Sequence, residues 1–159
     1  MTANQNRESI TAEGLRALEA EIEQLETEGR RNMAARIQAA RELGDLKENA
    51  EYHIAKEDQA HLETKIKRLR ARRQAAEVVE TTAAGDTFAF GRTAEVVDEA
   101  TGKSHTWTIV GPTEADLAGG KLSAESPVAA ALRDRAAGET VEVQTPRGAR
   151  RYRIERLLP

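Results

Sequence analysis

Apolar residues recur at helical spacing through the first half of the chain, and the run Gly44–Tyr52 interrupts that repeat. Its glycine and the adjacent pair Asp45–Leu46 break the rhythm, which indicates a reversal between two long helices. Such a reversal makes an antiparallel hairpin with the run at its tip. Asp45 and Glu48 stand three residues apart in this run, so we expect a helical rod that carries two carboxylates at its end.

The composition excludes several classes of protein. The 24 basic and 27 acidic residues give a net charge of -3, so the total charge does not favour nonspecific phosphate binding. The chain contains no cysteine, which excludes disulfides, thiolate metal sites and thiol nucleophiles. Residues 1–8 are polar and no stretch approaches about 20 apolar residues, so we expect neither a secretion signal nor a membrane span. We therefore expect a soluble, cytoplasmic protein. A monomer is a separate expectation, which the composition does not decide.

The two arms of the predicted hairpin carry matching apolar stripes. Thr11 is predicted to cap the first helix, with Glu13 in the first turn, where the helix dipole favours negative charge. The first stripe shifts in phase near Gly29, as a stutter in a coiled-coil seam does. Because neither helix buries so narrow a stripe alone, we predict antiparallel pairing. The stripe positions are Leu15, Leu18, Ile22, Leu25, Met33, Ile37 and Ala40 in the first arm and Ala55, Leu62, Ile66, Leu69 and Ala76 in the second.

The composition changes near residues 81–85, which indicates a link between two domains. Residues 1–80 are predicted to form the helical hairpin, with its acidic tip near residues 44–48. Beyond the link the hydrophobic period falls to about two, which is typical of strands. We therefore predict an α+β fold, in which a long antiparallel helical coiled-coil hairpin precedes a small α+β domain over residues 81–159.

The elements of the second domain follow from local signals. Ser126 and Pro127 are predicted to begin a short helix that runs through Leu132, because serine caps helices and proline suits the first helical position. Pro146–Gly148 is predicted to turn the chain into its last strand. The predicted strands are Thr93–Asp98, His105–Val110, a strand containing Val141 and Val143, and Arg150–Leu157.

The tip run Gly-Asp-Leu-Lys-Glu-Asn-Ala-Glu-Tyr-His resembles the signature of the Gre transcript-cleavage factors of bacterial RNA polymerase, and the GreA branch more than the GreB branch. The resemblance continues in register to the end of the chain, and only about the first ten residues lie outside it. The further matching segments are Phe90-Gly91, Ile109-Val110-Gly111, Glu114-Ala115-Asp116, Ser126-Pro127 with Ala129 and Leu132, and Thr145-Pro146 with Gly148.

The resemblance implies a coiled-coil finger followed by a domain similar to the FKBP fold. It also implies that the protein is not an enzyme itself but stimulates RNA cleavage by the polymerase. The second domain would dock at the rim of the polymerase's secondary channel, with the loop Glu125-Ser126-Pro127 against a coiled coil of the large subunit. The finger would then reach the active site, where the nascent RNA has slid backwards past the catalytic centre.

By themselves, two carboxylates on an exposed turn are most simply solvated side chains, because exposed Asp and Glu are common. The resemblance gives Asp45 and Glu48 a role in the metal chemistry of cleavage. Residues three apart on a helical turn face the same way, so both side chains can point at one ion. Mg²⁺ takes only one or two carboxylates and completes its shell with water and phosphate oxygens. The resemblance thus implies that the pair strengthens a weakly held Mg²⁺ of the polymerase, with no ion bound firmly by the isolated protein.

Two groups of basic residues call for different interpretations. One group lies on the returning helix, roughly opposite glutamates of the outgoing helix. Pairing between the two helices is therefore a better explanation for this first group than RNA binding. The second group has no acidic residue in its own segment before Glu42 and lies nearer the tip, so its members are the candidates for contact with the phosphates of extruded RNA. The first group comprises Lys65, Lys67, Arg68, Arg70, Arg72 and Arg73, and the second comprises Arg30, Arg31, Arg36 and Arg41.

Two other functions stay open from the sequence. A paralogue of the same fold can occupy the channel and inhibit or regulate the polymerase without cleavage, although the retained acidic pair argues against it. An FKBP-like isomerase or chaperone needs an aromatic-lined pocket, and the second half offers few rings for one, with Trp107 expected in the core. A metal site at His53, Glu57 and His61 is discounted, because the outer pair would lie about 12 Å apart along a helix.

Overall fold

The computed structural model describes residues 7–45, 48–80 and 85–159. Within these ranges the chain divides into two compact units, one of which is Leu15–Ala75. The other combines the residues up to Gly14 with those from Ala76 onward. The change in composition predicts a domain boundary after residue 80, and this boundary remains a prediction. No helix in the described ranges is long and apolar enough to cross a membrane.

The first unit is the predicted helical hairpin. Helix α1 covers Ala12–Gln24, α2 covers Arg30–Arg41 and α3 covers Ala50–Ala75. Helices α2 and α3 pack against each other, and their contacts show that they run antiparallel, since Arg30 meets Glu63 while the later Arg36 meets the earlier Asp58. The apolar stripes are buried as predicted, with Ile22, Ile37, Ala40, Ala55, Ile66 and Leu69 among the buried side chains of this unit.

A π-helical segment, Leu25–Gly29, joins α1 to α2 without a break in the rod. A π turn holds more residues than an α turn, so it shifts the phase of every side chain that follows. This confirms the predicted change of phase near Gly29. The extra residue is accommodated inside a continuous helix, and the buried face resumes at Ile37.

The second unit is built on a five-stranded sheet. Its strands are β3, Thr93–Asp98; β4, Ser104–Val110; β5, Lys121–Ser123; β6, Thr140–Thr145; and β7, Gly148–Leu157. They lie in the order β5-β4-β3-β7-β6. All neighbouring strands are antiparallel except the pair β4 and β5, and β3 meets β7 with a shift in register between Glu95 and Val96.

The core of this unit lies on one face of the sheet. Helix α4, Pro127–Leu132, packs against β6, and Leu132 is fully buried. Trp107 is buried as predicted and meets Tyr152 edge to face at 5.5 Å between ring centroids. Together with the helical hairpin, this sheet domain confirms the α+β class.

A two-stranded parallel pair was not predicted from the sequence. Strand β1, Glu8–Ile10, pairs with β2, Ala76–Val78, so the predicted second helix ends at Ala75 and the apolar position Ala76 belongs to a strand. Each strand has three residues, which is too short for an alternating pattern to be recognised. Ile10 is only 2% exposed, so the short pair is anchored by burial.

The carboxylate of Glu114 fixes the start of α1. It accepts hydrogen bonds from the Thr11 amide at 3.0 Å, from the Thr11 hydroxyl and from the Gly111 amide at 3.0 Å. The Thr11 hydroxyl oxygen in turn accepts from the Gly14 amide at 3.0 Å, which confirms Thr11 as the helix cap. Glycine is required beside this carboxylate, because a Cβ on Gly14 would overlap Glu114 and one on Gly111 would overlap the Ser9 carbonyl oxygen.

Candidate functional site

The turn between α2 and α3 holds both predicted tip carboxylates. After α2 ends at Arg41, the amide of Leu43 still donates to the Ala40 carbonyl, and Gly44 then adopts a φ of +127°. That angle favours glycine because a side chain would be strained there. Asp45 and Glu48 are both exposed. Leu46 and Lys47, within the predicted acidic tip, lie outside the described residues.

Asn49 joins the two helices at the base of this turn. Its side-chain oxygen accepts from the Tyr52 amide at 3.1 Å, which makes it the cap of α3. Its side-chain nitrogen donates to the carbonyl oxygen of Ala40, the buried residue one before the end of α2. The Asn49 side chain therefore contacts the backbone of both helices that flank the turn.

A second contact crosses the hairpin next to Asn49. The guanidinium of Arg41 lies over the Tyr52 ring, 5.7 Å from its centroid, a cation–π geometry worth about 0.5–1 kcal/mol at an exposed site. Tyr52 is half-buried and its ring meets that of His53 edge to face at 5.7 Å. Arg41, predicted to contact RNA, thus has a partner within the hairpin itself.

Two further arginines predicted to contact RNA form ion pairs with the opposite helix. Arg30 donates two hydrogen bonds to Glu63, at 2.9 and 3.0 Å, and Arg36 lies 2.7 Å from Asp58. The hydrogen bonds from Arg30 lower the pKa of Glu63, and Glu63 raises the pKa of Arg30 in return. Arg31 is exposed. The sequence did not indicate these pairs, because their acidic partners lie on the returning helix.

Two of the six basic residues grouped in the returning arm meet glutamates, as the sequence predicts. Lys65 lies 3.5 Å from Glu21, and Arg70 lies 2.5 Å from Glu26. The hydrogen bond from Arg70 lowers the pKa of Glu26. Exposed ion pairs of this kind contribute only about 0–1 kcal/mol each to stability. We therefore infer that these pairs fix the register of the two helices more than they stabilise the hairpin.

The described ranges contain no group of three or more His, Cys, Asp or Glu side chains that could hold a metal ion. His61 lies 3.8 Å from Glu57, one turn along α3, and both side chains are largely exposed. Asp45 and Glu48, the predicted metal ligands at the tip, belong to no such group within these ranges. A pair matches the number of carboxylates that Mg²⁺ normally takes from a protein, with water and phosphate oxygens as the remaining ligands.

The predicted docking loop is held by a helix cap. The Ser126 hydroxyl donates to the Ser123 carbonyl at 2.7 Å, and its oxygen accepts from the Ala129 amide at 3.2 Å. Glu125 and Pro127, on either side, are exposed. The cap thus fixes the backbone of the loop while its neighbouring side chains stay accessible.

The large rings of the sheet unit are used in its core. Phe88, Phe90, Trp107 and Tyr152 are all at most 8% exposed. A site for a proline-containing peptide needs rings that line an open pocket, and these four line none at the surface. This arrangement gives no support to the isomerase alternative.

Comparison with known proteins covers both units. The family described as "Transcription elongation factor, N-terminal" matches residues 8–78, and "Transcription elongation factor, GreA/GreB, C-term" matches residues 82–158. A protein of Thioalkalivibrio sulfidiphilus named transcription elongation factor GreA is 44% identical over 147 residues, which cover 91% of this chain and 93% of the relative. A protein of the same name from Rhodopseudomonas palustris is also 44% identical, over 93% of both chains.

Solved structures with detectable likeness carry related names. The transcription factor Gfh1 is 24% identical, covers 96% of this chain and 98% of its own, and has a TM-score of 0.45. A GreA/GreB elongation factor from Nitrosomonas europaea is 27% identical, covers 65% of this chain and 93% of its own, and has a TM-score of 0.41. Since TM-scores below 0.5 do not establish a shared arrangement, the assignment rests on the sequence matches. The chain belongs to the GreA/GreB family of transcription elongation factors.

Proposed function

We propose that this protein binds bacterial RNA polymerase at its secondary channel and stimulates Mg²⁺-dependent cleavage of backtracked nascent RNA. The observation that carries the proposal is the exposed pair Asp45 and Glu48 in the turn between two antiparallel helices. The family membership supports a role in transcript elongation. The site of action is then the cytoplasm, where the bacterial polymerase works.

The length of the hairpin suits delivery to a recessed site. Helix α3 has 26 residues, so at ~1.5 Å per residue it is about 39 Å long. The carboxylates at the tip of such a hairpin can act at a site far from the surface on which the other end of the hairpin is held. A rod of paired helices also holds its tip more firmly than a loop of equal reach would.

The two carboxylates would supply oxygen ligands to a second Mg²⁺ that the polymerase holds weakly. When bound, that ion supplies an activated water for hydrolysis of the phosphodiester, while the polymerase's other ion steadies the leaving oxygen. The role of this chain is to add negative charge where the ion is needed. The protein therefore stimulates the polymerase's own nuclease activity and is not an enzyme by itself.

The remaining contacts divide between the two units. Docking on the large subunit's coiled coil is assigned to Glu125, Ser126 and Pro127, because the cap at Ser126 presents two exposed neighbours in a fixed loop. Contact with the phosphates of extruded RNA is assigned to the arginines of α2. Of these, Arg31 is the leading candidate, because Arg30 and Arg36 already contact acids of α3.

The test uses purified polymerase halted in a backtracked complex, with RNA length followed over time. The wild-type protein should speed shortening of the RNA, whereas Asp45→Asn with Glu48→Gln should bind equally and cleave about 10²–10³ times more slowly. Raised Mg²⁺ should partly rescue each single variant, since mass action compensates for a weakened site. Full cleavage by the double variant at low Mg²⁺ would contradict the role of the carboxylates. Inhibition by the wild-type protein would instead identify a non-cleaving factor.

A further inference from the structure

The side chain of Asn49 forms one hydrogen bond to the last turn of α2 and another to the first turn of α3. Its nitrogen donates to the Ala40 carbonyl at 2.5 Å and its oxygen accepts from the Tyr52 amide at 3.1 Å. The orientation of the amide is fixed by these partners, because a backbone amide only donates and a carbonyl only accepts. The bond joins residues nine positions apart in the sequence, and both tip carboxylates lie between them.

The bond from Asn49 to Ala40 does more than cap a helix. Capping α3 needs only an acceptor for the Tyr52 amide, and serine or aspartate would provide one. Asparagine adds a donor on the same rigid, planar group. That donor reaches a carbonyl at the end of α2, which also accepts from the Leu43 amide at 3.2 Å. Both ends of the tip loop are therefore held at one point.

We propose that Asn49 is a positioning residue, which aligns Asp45 and Glu48 for metal delivery by linking the ends of their loop; this rests on the proposed cleavage function. Glu48 is directly attached to Asn49, and Asp45 follows the Ala40 anchor by five residues. Without the bond from Asn49 to Ala40, the two ends of the segment that carries these carboxylates are no longer held together. A displacement of about 1 Å at a catalytic group is enough to cost on the order of 10²-fold in rate.

Two substitutions separate the link from the cap. Asn49→Ser keeps an acceptor for the Tyr52 amide but is too short to reach Ala40, whereas Asn49→Ala removes both bonds. If Asn49 serves only as a cap, serine should restore activity and alanine should not. If the link positions the carboxylates, serine and alanine should be impaired alike. Asn32→Ser makes the same chemical change at an exposed position of α2 and is the matched control.

Hydrogen exchange on the full-length protein tests the link without the polymerase. The hydrogen-bonded amides of Glu42 and Leu43 should exchange about five-fold faster in Asn49→Ser than in wild type, as expected for loss of one side-chain hydrogen bond. Asn32→Ser should leave this exchange unchanged. Wild-type exchange in Asn49→Ser would overturn the proposal, whatever the cleavage assay shows.

The cleavage assay tests the consequence of the link. At saturating factor, Asn49→Ser and Asn49→Ala should both cleave about 10- to 100-fold more slowly, while competition for polymerase stays at the wild-type level. Full activity of the serine variant would overturn the proposal, as would a loss of cleavage explained by weaker binding. Failure of the wild-type protein to stimulate cleavage would count against the proposed function alone, because the exchange experiment decides the link separately.

Discussion

Two helical glycines should respond in opposite ways to replacement by alanine. A glycine in a helix costs about 0.8–1.0 kcal/mol relative to alanine, so propensity alone predicts that Gly14→Ala and Gly29→Ala, both at half-buried positions, stabilise the protein. At Gly29 a Cβ would meet Leu62 at 3.6 Å and the Gln24 carbonyl oxygen at 3.7 Å, which are ordinary contacts. Gly29→Ala should therefore gain about 0.8–1.0 kcal/mol.

At Gly14 the same methyl group would overlap the carboxylate of Glu114, which must then move away from its partners. A hydrogen bond to a charged group contributes about 1.5–3 kcal/mol, and Glu114 accepts three. Loss of one bond at the lower value outweighs the gain in propensity by about 0.5 kcal/mol, and loss of all three outweighs it by about 3.5 kcal/mol. Gly14→Ala should therefore be destabilising.

Separate probes follow the two units during urea unfolding. Trp107 is the one tryptophan of the chain and lies in the sheet unit, so its fluorescence reports on the surroundings of Gly14. Far-ultraviolet circular dichroism is dominated by the helical hairpin and reports on Gly29. The urea midpoint measured by fluorescence should fall in Gly14→Ala, and the midpoint measured by circular dichroism should rise in Gly29→Ala. An equal rise of the two midpoints would refute the placement of Glu114 beside Gly14.

Three further outcomes are expected. Arg31→Ala should slow cleavage more than Arg30→Ala when the extruded RNA is long and should reduce the salt slope by about one unit or less; equal effects at every RNA length would contradict a phosphate contact. The lowered pKa of Glu63 means that its pair with Arg30 stabilises the fold above the unfolded pKa of about 4.3, and that this contribution disappears as the pH falls through the lower folded pKa. Glu63→Gln should therefore flatten the decline in hairpin stability between about pH 5 and pH 3, and an unaltered decline in circular-dichroism melts would argue against the pair. Gly44→Ala should lose about 1–2 kcal/mol to backbone strain at positive φ and slow cleavage more than binding, which a normal cleavage rate would disprove.

The elements with a long or distinctive pattern could be predicted from the sequence. The helical stripes, the strands with alternating residues and the cap at Ser126 all leave a local signal, and each is present in the structure. The change of phase near Gly29 was also visible, because a π segment displaces every later apolar position. The hydrophobic period predicts the observed element wherever it extends over at least two helical turns or several residues of a strand.

Features that depend on distant partners could not be predicted in this way. Strands β1 and β2 are three residues long and pair across more than sixty residues, so no local period marks them. Glu114 stood out only as part of a family-like segment, and nothing in its neighbours indicates Thr11 as a partner. The ion pairs of Arg30 and Arg36 could not be predicted for the same reason, because their acidic partners lie on the other helix of the hairpin.

The contact between Thr11 and Glu114 also sets an order of events during synthesis. The two residues are 103 positions apart, so at ~5–20 residues per second the ribosome adds Glu114 about 5–20 s after Thr11. During that interval the Thr11 hydroxyl can already cap α1, because Gly14 is close in sequence, but the Thr11 amide has no carboxylate to meet. The nascent chain thus carries a nearly complete helical finger before the final anchor of its first helix has been translated.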